Sequence, residues 1–266
     1  MKRPLHRQIY TGAHRGLYVP PPLAAAAEPA VPVVPPDPDD YWPFSESAPA
    51  SFASNIGNMT LLPRTGTFGR SSAGHPSTYK QIQQSSSATL KWTPTVPAGA
   101  VLSGNWTLHF WHQTPSTTLA GKTYYIFHMA ESSPTVNKMH CYFNGNTAKI
   151  QVYADVTGSG TWDTGGVSDL VHLVTTWYCV IIWRNGSEFG WGTGSEAGGD
   201  YTELTYTATA GLPVDAASDI ISWPHTSMYQ GGSTRGTCNH TIWNGTALTA
   251  GERLGLYNDG AGVTWE

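Results

Sequence analysis

Apolar and polar positions come in short runs along most of the chain, and the densest run lies at residues 174–191. Val174-Thr175-Thr176-Trp177-Tyr178-Cys179-Val180-Ile181-Ile182-Trp183 is β-branched and aromatic with no Gly or Pro, which predicts a strand. Arg184-Asn185-Gly186-Ser187 follows, then Glu188-Phe189-Gly190-Trp191. Asn185-Gly186 offers the two positive-φ positions of a type I′ turn, so the stretch predicts a hairpin. Trp177, Cys179, Ile181 and Trp183 share one face of its first strand, and Tyr178, Val180 and Ile182 share the other. A half-exposed strand would be polar on one side. This one is apolar on both, which predicts a central strand of a packed sheet.

The same reading predicts strands at 79–82, 88–92, 106–113, 123–129, 138–143, 148–154, 202–208, 220–223 and 238–243. Asn144-Gly145-Asn146 predicts a second hairpin turn. Residues 158–166 read as a loop with Trp162 at its tip, and 224–236 as a long loop. One helix is expected, from Thr249 to Asn258. Thr249 with Glu252 three residues on forms a capping box, Leu254 and Tyr257 share a side, and Gly260 can end the helix. Tyr41-Trp42-Pro43-Phe44 is a candidate aromatic latch. No internal repeat or heptad is present, so the chain builds no fibre shaft of its own.

Residues 1–40 break this pattern. The first fifteen hold Lys2, Arg3, Arg7 and Arg15 with no acid, and Tyr10 and Tyr18 lie among and just beyond them. Pro20-Pro21-Pro22 follows, then Pro29, Pro32, Pro35, Pro36 and Pro38. Such Pro density prevents helix and sheet and favours extended polyproline II segments. We read 1–40 as an anchoring arm that orders on another protein surface, its basic head suited to an acidic groove. Residues 41–266 are the folded domain.

Composition narrows the classes. Charged residues are 12% of the 266, about half the usual share, and there are 11 Trp. A turn-rich β-sandwich fits this profile; a helical enzyme does not. The net charge of −4 excludes nucleic-acid binding on electrostatic grounds. Cys141, Cys179 and Cys238 are odd in number and widely spaced, so buried thiols are expected rather than a disulfide framework. No apolar run of about 18 residues suggests a membrane span, and no apolar stretch follows the basic start to suggest a signal peptide.

Three segments resemble one family. Gly104-Asn105-Trp106-Thr107-Leu108-His109-Phe110-Trp111 resembles the "Phe-Thr-x-x-x-Trp" strand of laminin-G-like, concanavalin A-like jelly rolls. Thr176-Trp177-Tyr178-Cys179-Val180 with Arg184-Asn185-Gly186 resembles their "Trp-His-x-Val … Asn-Gly" hairpin, with Tyr178 where His is common. The stretch from Ile242 through Thr249, Glu252 and Leu256-Tyr257-Asn258 to Gly260 resembles their closing "Leu-Ser-x-x-Glu-x-x-x-Leu-Tyr-Asn" segment. The resemblance covers roughly residues 42–266. It implies an all-β, two-sheet jelly-roll sandwich, here with an extended Pro-rich N-terminal arm and a short C-terminal helix. Such domains are found in tailed-bacteriophage virion surface proteins, and members also serve as lectins, glycan hydrolases and adhesion modules.

The candidate chemistry is sparse. Glucanases of this fold resemble one another in a Glu-x-Asp-x-x-Glu strand, which sets two carboxylates on one face. The nearest match, Glu196, Asp200 and Glu203, has the wrong spacing and surrounds Gly198-Gly199, which makes it a loop, so no catalytic residue is assigned. The ten His form no metal or triad motif; no cofactor is expected, and Asp155, Asp163, Asp169 and Asp200 leave room for a structural Ca²⁺ at most. Rings in or beside loops are the glycan-binding candidates: Trp162, Trp191 between glycines, and Trp223 with His225 and Tyr229. Their alternative role, capping the ends of the sandwich, stays open at this point. Five Asn-x-Ser/Thr sequons, at Asn58, Asn105, Asn185, Asn239 and Asn244, read as turn and strand chemistry.

The expected function is a non-enzymatic virion structural protein, made in the host cytoplasm. It would be displayed on a bacteriophage capsid or neck, anchored to other virion proteins through residues 1–40, and homo-oligomeric in the assembly. Host-surface glycan is its expected ligand. The alternatives are a tail-fibre adhesin reading host polysaccharide and a polysaccharide-cleaving enzyme. Neither nucleic acid nor membrane is an expected partner.

Overall fold

A computed structural model describes residues 30–42, 52–53, 60–65, 68–71, 75, 81–84, 89–93, 104–114, 123–130, 137–154, 164–167, 170–207, 220–222 and 235–265. Strands β1 (Asp40–Trp42), β2 (Phe52–Ala53), β3 (Thr60–Thr65), β4 (Phe68–Ser71), β5 (Gln81–Gln84) and β6 (Thr89–Thr93) come first. Then follow β7 (Trp106–Gln113), β8 (Thr123–Ala130), β9 (Asn137–Asn144), β10 (Lys149–Ala154) and β11 (Thr164–Val167). The last group is β12 (Trp177–Asn185), β13 (Glu188–Ser195), β14 (Thr202–Thr207), β15 (Ile220–Ser222) and β16 (Arg235–Asn244), before helix α1 (Ala250–Tyr257).

The strands form two antiparallel sheets, and the protein is an all-β sandwich. One sheet has the order β14-β13-β12-β7-β16-β5-β4, with β1 also on β16; the other runs β11-β10-β9-β8-β15-β6-β3-β2. β12 lies between β13 and β7, and Trp177 through Trp183 are all buried, as its two apolar faces require. Register assigns the faces. Tyr178, Val180 and Ile182 sit beside His112, Phe110 and Leu108 and face the second sheet's Ile126, Cys141, Phe143, Ile150 and Val152. Cys179, Ile181 and Trp183 sit beside Trp111, His109 and Thr107 on the outer face.

That outer face is covered by two segments, residues 30–42 and 248–265. Tyr257 stacks on Trp111, and Trp265 packs edge-on against Tyr41 and Trp243. The Leu248 N–H donates to Thr107 Oγ1 at 2.9 Å. Residues 30–39 form a strap. The Val33 N–H donates to Gly251 O, Asp39 N–H to Ile242 O, and Trp243 Nε1 to Pro36 O, at 2.9, 2.9 and 3.0 Å. Pro35 and Pro38 face inward while Val31 and Val34 face out, a threefold alternation matching polyproline II. Gly251 and Gly255 of α1 make the seat: a Cβ on Gly255 would lie 1.9 Å from Val33 O. Thus the last residues grouped by composition with the arm lie on the chain's own sandwich, whereas Lys2, Arg3, Arg7, Tyr10, Arg15 and Tyr18 lie outside the described residues.

Several local expectations are corrected. Asn185 pairs with Glu188, so the turn centres on Gly186-Ser187, not Asn185-Gly186. Only Gly186 has positive φ (60°), the type II′ pattern, with Gly first. Asn144 pairs with Lys149, which makes the second hairpin a four-residue loop with Ala148 at φ 53°. The capping box at Thr249 and Glu252 is present, but Asn258 in the left-handed region (φ 46°) ends α1 before Gly260. On α1, Leu256 and Tyr257 are buried with Arg253; Leu254 is only half-buried. Thr164–Val167, placed mostly in a loop, is β11. The three cysteines are buried free thiols, and burial raises the pKa of each. Asn239, one of the sequons, is fully buried at a β-bulge with φ 54° and donates to Val263 O.

A cleft on the outer face

The site grows out of one glycine pattern. Gly190, Gly192 and Gly194 alternate along β13 and so share its outer face. A Cβ there would meet Trp183 at 2.2 Å, Tyr201 at 2.3 Å and Tyr257 at 2.6 Å, respectively. The glycines form a trench in which three aromatic rings lie flat on the sheet. Tyr201 and Tyr257 stack with centroids 5.2 Å apart.

Carboxylates fix these rings. Asp200 accepts from the Ser195 N–H at 2.7 Å and from Ser195 Oγ at 2.5 Å, and the Tyr257 hydroxyl donates to it at 2.7 Å. The Tyr201 hydroxyl donates to Glu203 at 2.8 Å. Arg253 grips both Glu203 oxygens, through Nε and Nη2 at 2.8 Å each, and lies 3.7 Å above the Trp183 ring. Burial works against the Arg253 charge, but its bonds to Glu203 outweigh this and raise its pKa. Glu196 accepts the Trp177 N–H at 3.0 Å and lies 3.6 Å from His75, whose Nε2 is 2.6 Å from Gly260 O. The His75 pKa is lowered by burial, against the pull of Gly260 O and Glu196. Each carboxylate of the sequence-level hydrolase candidate is therefore bound into the framework.

Two tight turns close the rim. Gly198, Gly199, Asn258, Asp259 and Gly260 all have positive φ. A Cβ on Gly198 would lie 2.6 Å from Asp259 O, and one on Gly260 would lie 2.7 Å from Glu196 O, so the two turns interlock backbone to backbone. The Gly199 N–H donates to Asp259 Oδ1 at 2.7 Å. Asp259 is exposed, and its Oδ2 accepts no bond among the described residues. Between these turns, α1 and the strap lies a cleft of about 420 Å³ lined by Pro32, Gly199, Tyr201, Leu254, Tyr257 and Asp259. This volume falls within the range of small-molecule sites, roughly 300–1,000 Å³. Among the described residues, no three His, Cys, Asp or Glu side chains come together to hold a metal.

Trp191 is not a loop ring. It lies in β13, 1% exposed, facing the second sheet beside Ile182, and is corrected from glycan candidate to core residue. Its flanking glycines make room on the opposite face and do not signal a loop. Trp162, Trp223, His225 and Tyr229 lie outside the described residues. Tyr201, Tyr257 and Asp259 are site residues beyond those the sequence suggests; the period-2 glycines at 190, 192 and 194 are the signal for a surface on which large rings rest.

Against known proteins, no family model matches the chain, and no curated protein matches it. Solved structures do. The receptor-binding domain of botulinum neurotoxin type G aligns with a TM-score of 0.58 at 11% identity, over 84% of this chain and 51% of that one. A serotype D botulinum neurotoxin ligand-binding domain, solved in complex with N-acetylneuraminic acid, gives 0.60 at 10%, over 84% and 50%. A mutant Trypanosoma rangeli sialidase displaying trans-sialidase activity gives 0.55 at 13%, over 85% and 33%. The likeness is one of fold. The chain spans about half the length of the neurotoxin domains it matches.

Proposed function

We propose that the chain is a non-enzymatic, carbohydrate-binding β-sandwich displayed on a virion, and that the outer-face cleft is its glycan site. One observation carries the glycan reading: an apolar floor of Tyr201, Leu254 and Pro32 shares a single open cleft with the outward carboxylate of Asp259. A sugar ring offers the matching chemistry, with C–H faces that lie on apolar rings and hydroxyls that donate to a carboxylate. The glycan held by the serotype D neurotoxin domain supports the same reading. The non-enzymatic reading is supported by the framework bonds of Glu196, Asp200 and Glu203, since glycoside hydrolysis asks one carboxylic acid to give up its proton and a second carboxylate to attack or activate water.

Display on a virion rests on the basic, Pro-rich start. Its continuation, the strap, is sewn to the sandwich by backbone bonds, so a load on the arm passes into a sheet. Glycan binding is tested with the purified chain: Tyr201→Ala should abolish retention on immobilised oligosaccharide, and undiminished retention would move the site elsewhere. Display is tested by deleting residues 1–29, which spares the strap. The truncated chain should fold and fail to enter particles; normal incorporation would refute anchoring.

A further inference from the structure

We infer that the cleft accepts a neutral saccharide and excludes an acidic one. The inference rests on reading the cleft as a glycan site and adds the charge of its ligand.

The balance of charge in and behind the cleft is one-sided. Asp259 stands exposed on the rim, Asp200 holds the Tyr257 hydroxyl, and Glu203 holds that of Tyr201. Arg253 is the one cation among the described residues bonded to this group; it is 7% exposed and does not line the cleft. Nε and Nη2 grip Glu203, Nη1 donates to Leu248 O, and the guanidinium plane covers Trp183. Three carboxylates thus face one cation, which is buried, paired with Glu203 and absent from the lining of the cleft. The field reaches the floor of the cleft: the pKa of Tyr201 is raised by burial and then by Glu203, and that of Tyr257 by burial and then by Asp200.

A ligand carboxylate seated here would meet Asp259 with no counter-charge, and like charges brought together in a partly desolvated site repel. A neutral pyranose meets no such barrier. Its hydroxyls can donate to Asp259 Oδ2 while its C–H face rests on the Tyr201 and Leu254 side chains. The cleft therefore differs in kind from a site that holds N-acetylneuraminic acid, such as that of the serotype D neurotoxin domain.

The test uses the full chain on an array of matched oligosaccharides, each present in neutral form and capped with N-acetylneuraminic acid. The neutral members should bind, and their sialylated counterparts should bind at least about tenfold more weakly in low salt, with the gap narrowing as salt screens the repulsion. Asp259→Asn keeps a carbonyl acceptor and removes the charge, so it should narrow the same gap; circular dichroism verifies its fold. Sialylated members that bind as well as or better than neutral ones, in a manner lost in Tyr201→Ala, overturn the charge inference and leave the site standing. Binding that Tyr201→Ala does not change, or no binding to any member, overturns both.

Discussion

The two faces of the β7–β12–β13–β16 sheet are buried by different means. The inner face meets the second sheet through aliphatic and aromatic side chains such as Val180, Ile182, Trp191, Phe110 and Leu108. The outer face is closed by the strap, α1 and the segment before β14, through side chains anchored by polar and cation–π contacts: Tyr257 to Asp200, Tyr201 to Glu203, and Arg253 spread over Trp183. Sheet-on-sheet packing fills space as a crystal does and leaves few gaps. A helix, a strap and two turns laid on a flat sheet meet imperfectly, and the cleft is the gap between them. The lesson is that polar anchoring on the outer face both holds the layer and supplies the carboxylates that give the cleft its character.

The largest expected effect separates the faces directly. Trp191→Ala removes an indole from the inner core and should cost about 3–5 kcal/mol of stability, seen as a lower urea midpoint. A ring in a solvent-facing loop would cost well under 1 kcal/mol, and such a result would return Trp191 to the glycan candidates.

Acid should attack both faces. His172 stacks on Tyr178 and touches Phe143 on the inner side; His109 lies under Trp265 on the outer, its Nδ1 3.2 Å from Thr241 Oγ1. Burial holds the pKa of each at about 3, against an ordinary value of 6.5. The unfolded chain therefore binds protons first as pH falls. The stability from keeping these rings neutral is complete above about pH 6.5 and is lost progressively towards pH 3. At pH 5 each should have cost about 2 kcal/mol relative to neutral pH. Urea midpoints at pH 7 and pH 5 measure this. His109→Gln and His172→Gln, taken singly, should each flatten the slope, and the larger flattening identifies the face that yields first.

A smaller effect concerns the strap alone. Gly255→Ala suits a helix by about 1 kcal/mol, yet its methyl would collide with the Val33 carbonyl. The strap should lift at a cost of about 1–2 kcal/mol, roughly tenfold faster cleavage by a protease between residues 31 and 38, with Tm barely moved. Unchanged cleavage would mean that the helix shifts instead. The smallest effect is Thr249→Ala, which removes the α1 cap and should cost about 1 kcal/mol in the same urea titration.

Much of the frame is legible in the sequence. The predicted strand 106–113 coincides with β7, and the capping box at Thr249 and Glu252 is a local hydrogen-bond pattern written in four adjacent residues. The turn at Gly186 lies one residue beyond the expected one, because Asn-Gly and Gly-Ser are both good turn pairs and only pairing register chooses between them. The glycines beside Trp191 suggest a loop by composition alone, but the residue lies in a buried strand. In β13 glycine marks the close approach of rings across the sheet. The cleft was illegible for a plainer reason. Pro32, Tyr201 and the 254–259 segment are far apart in sequence and meet only where the strap crosses the helix. No local pattern encodes that crossing except the paired glycines of α1, which by propensity alone look like flaws in a helix.

That crossing has a temporal side. Val33 bonds to Gly251, Asp40 pairs with Ile242, and Tyr41 packs on Trp265, so the first described segment is completed by the last. During synthesis, the strap emerges before residues 242–265, on which it seats. Until those emerge, Tyr41, Trp42 and the outer face of β12 have nothing to cover them. Closure of this layer thus joins residues far apart in sequence, a non-local contact that forms late in folding.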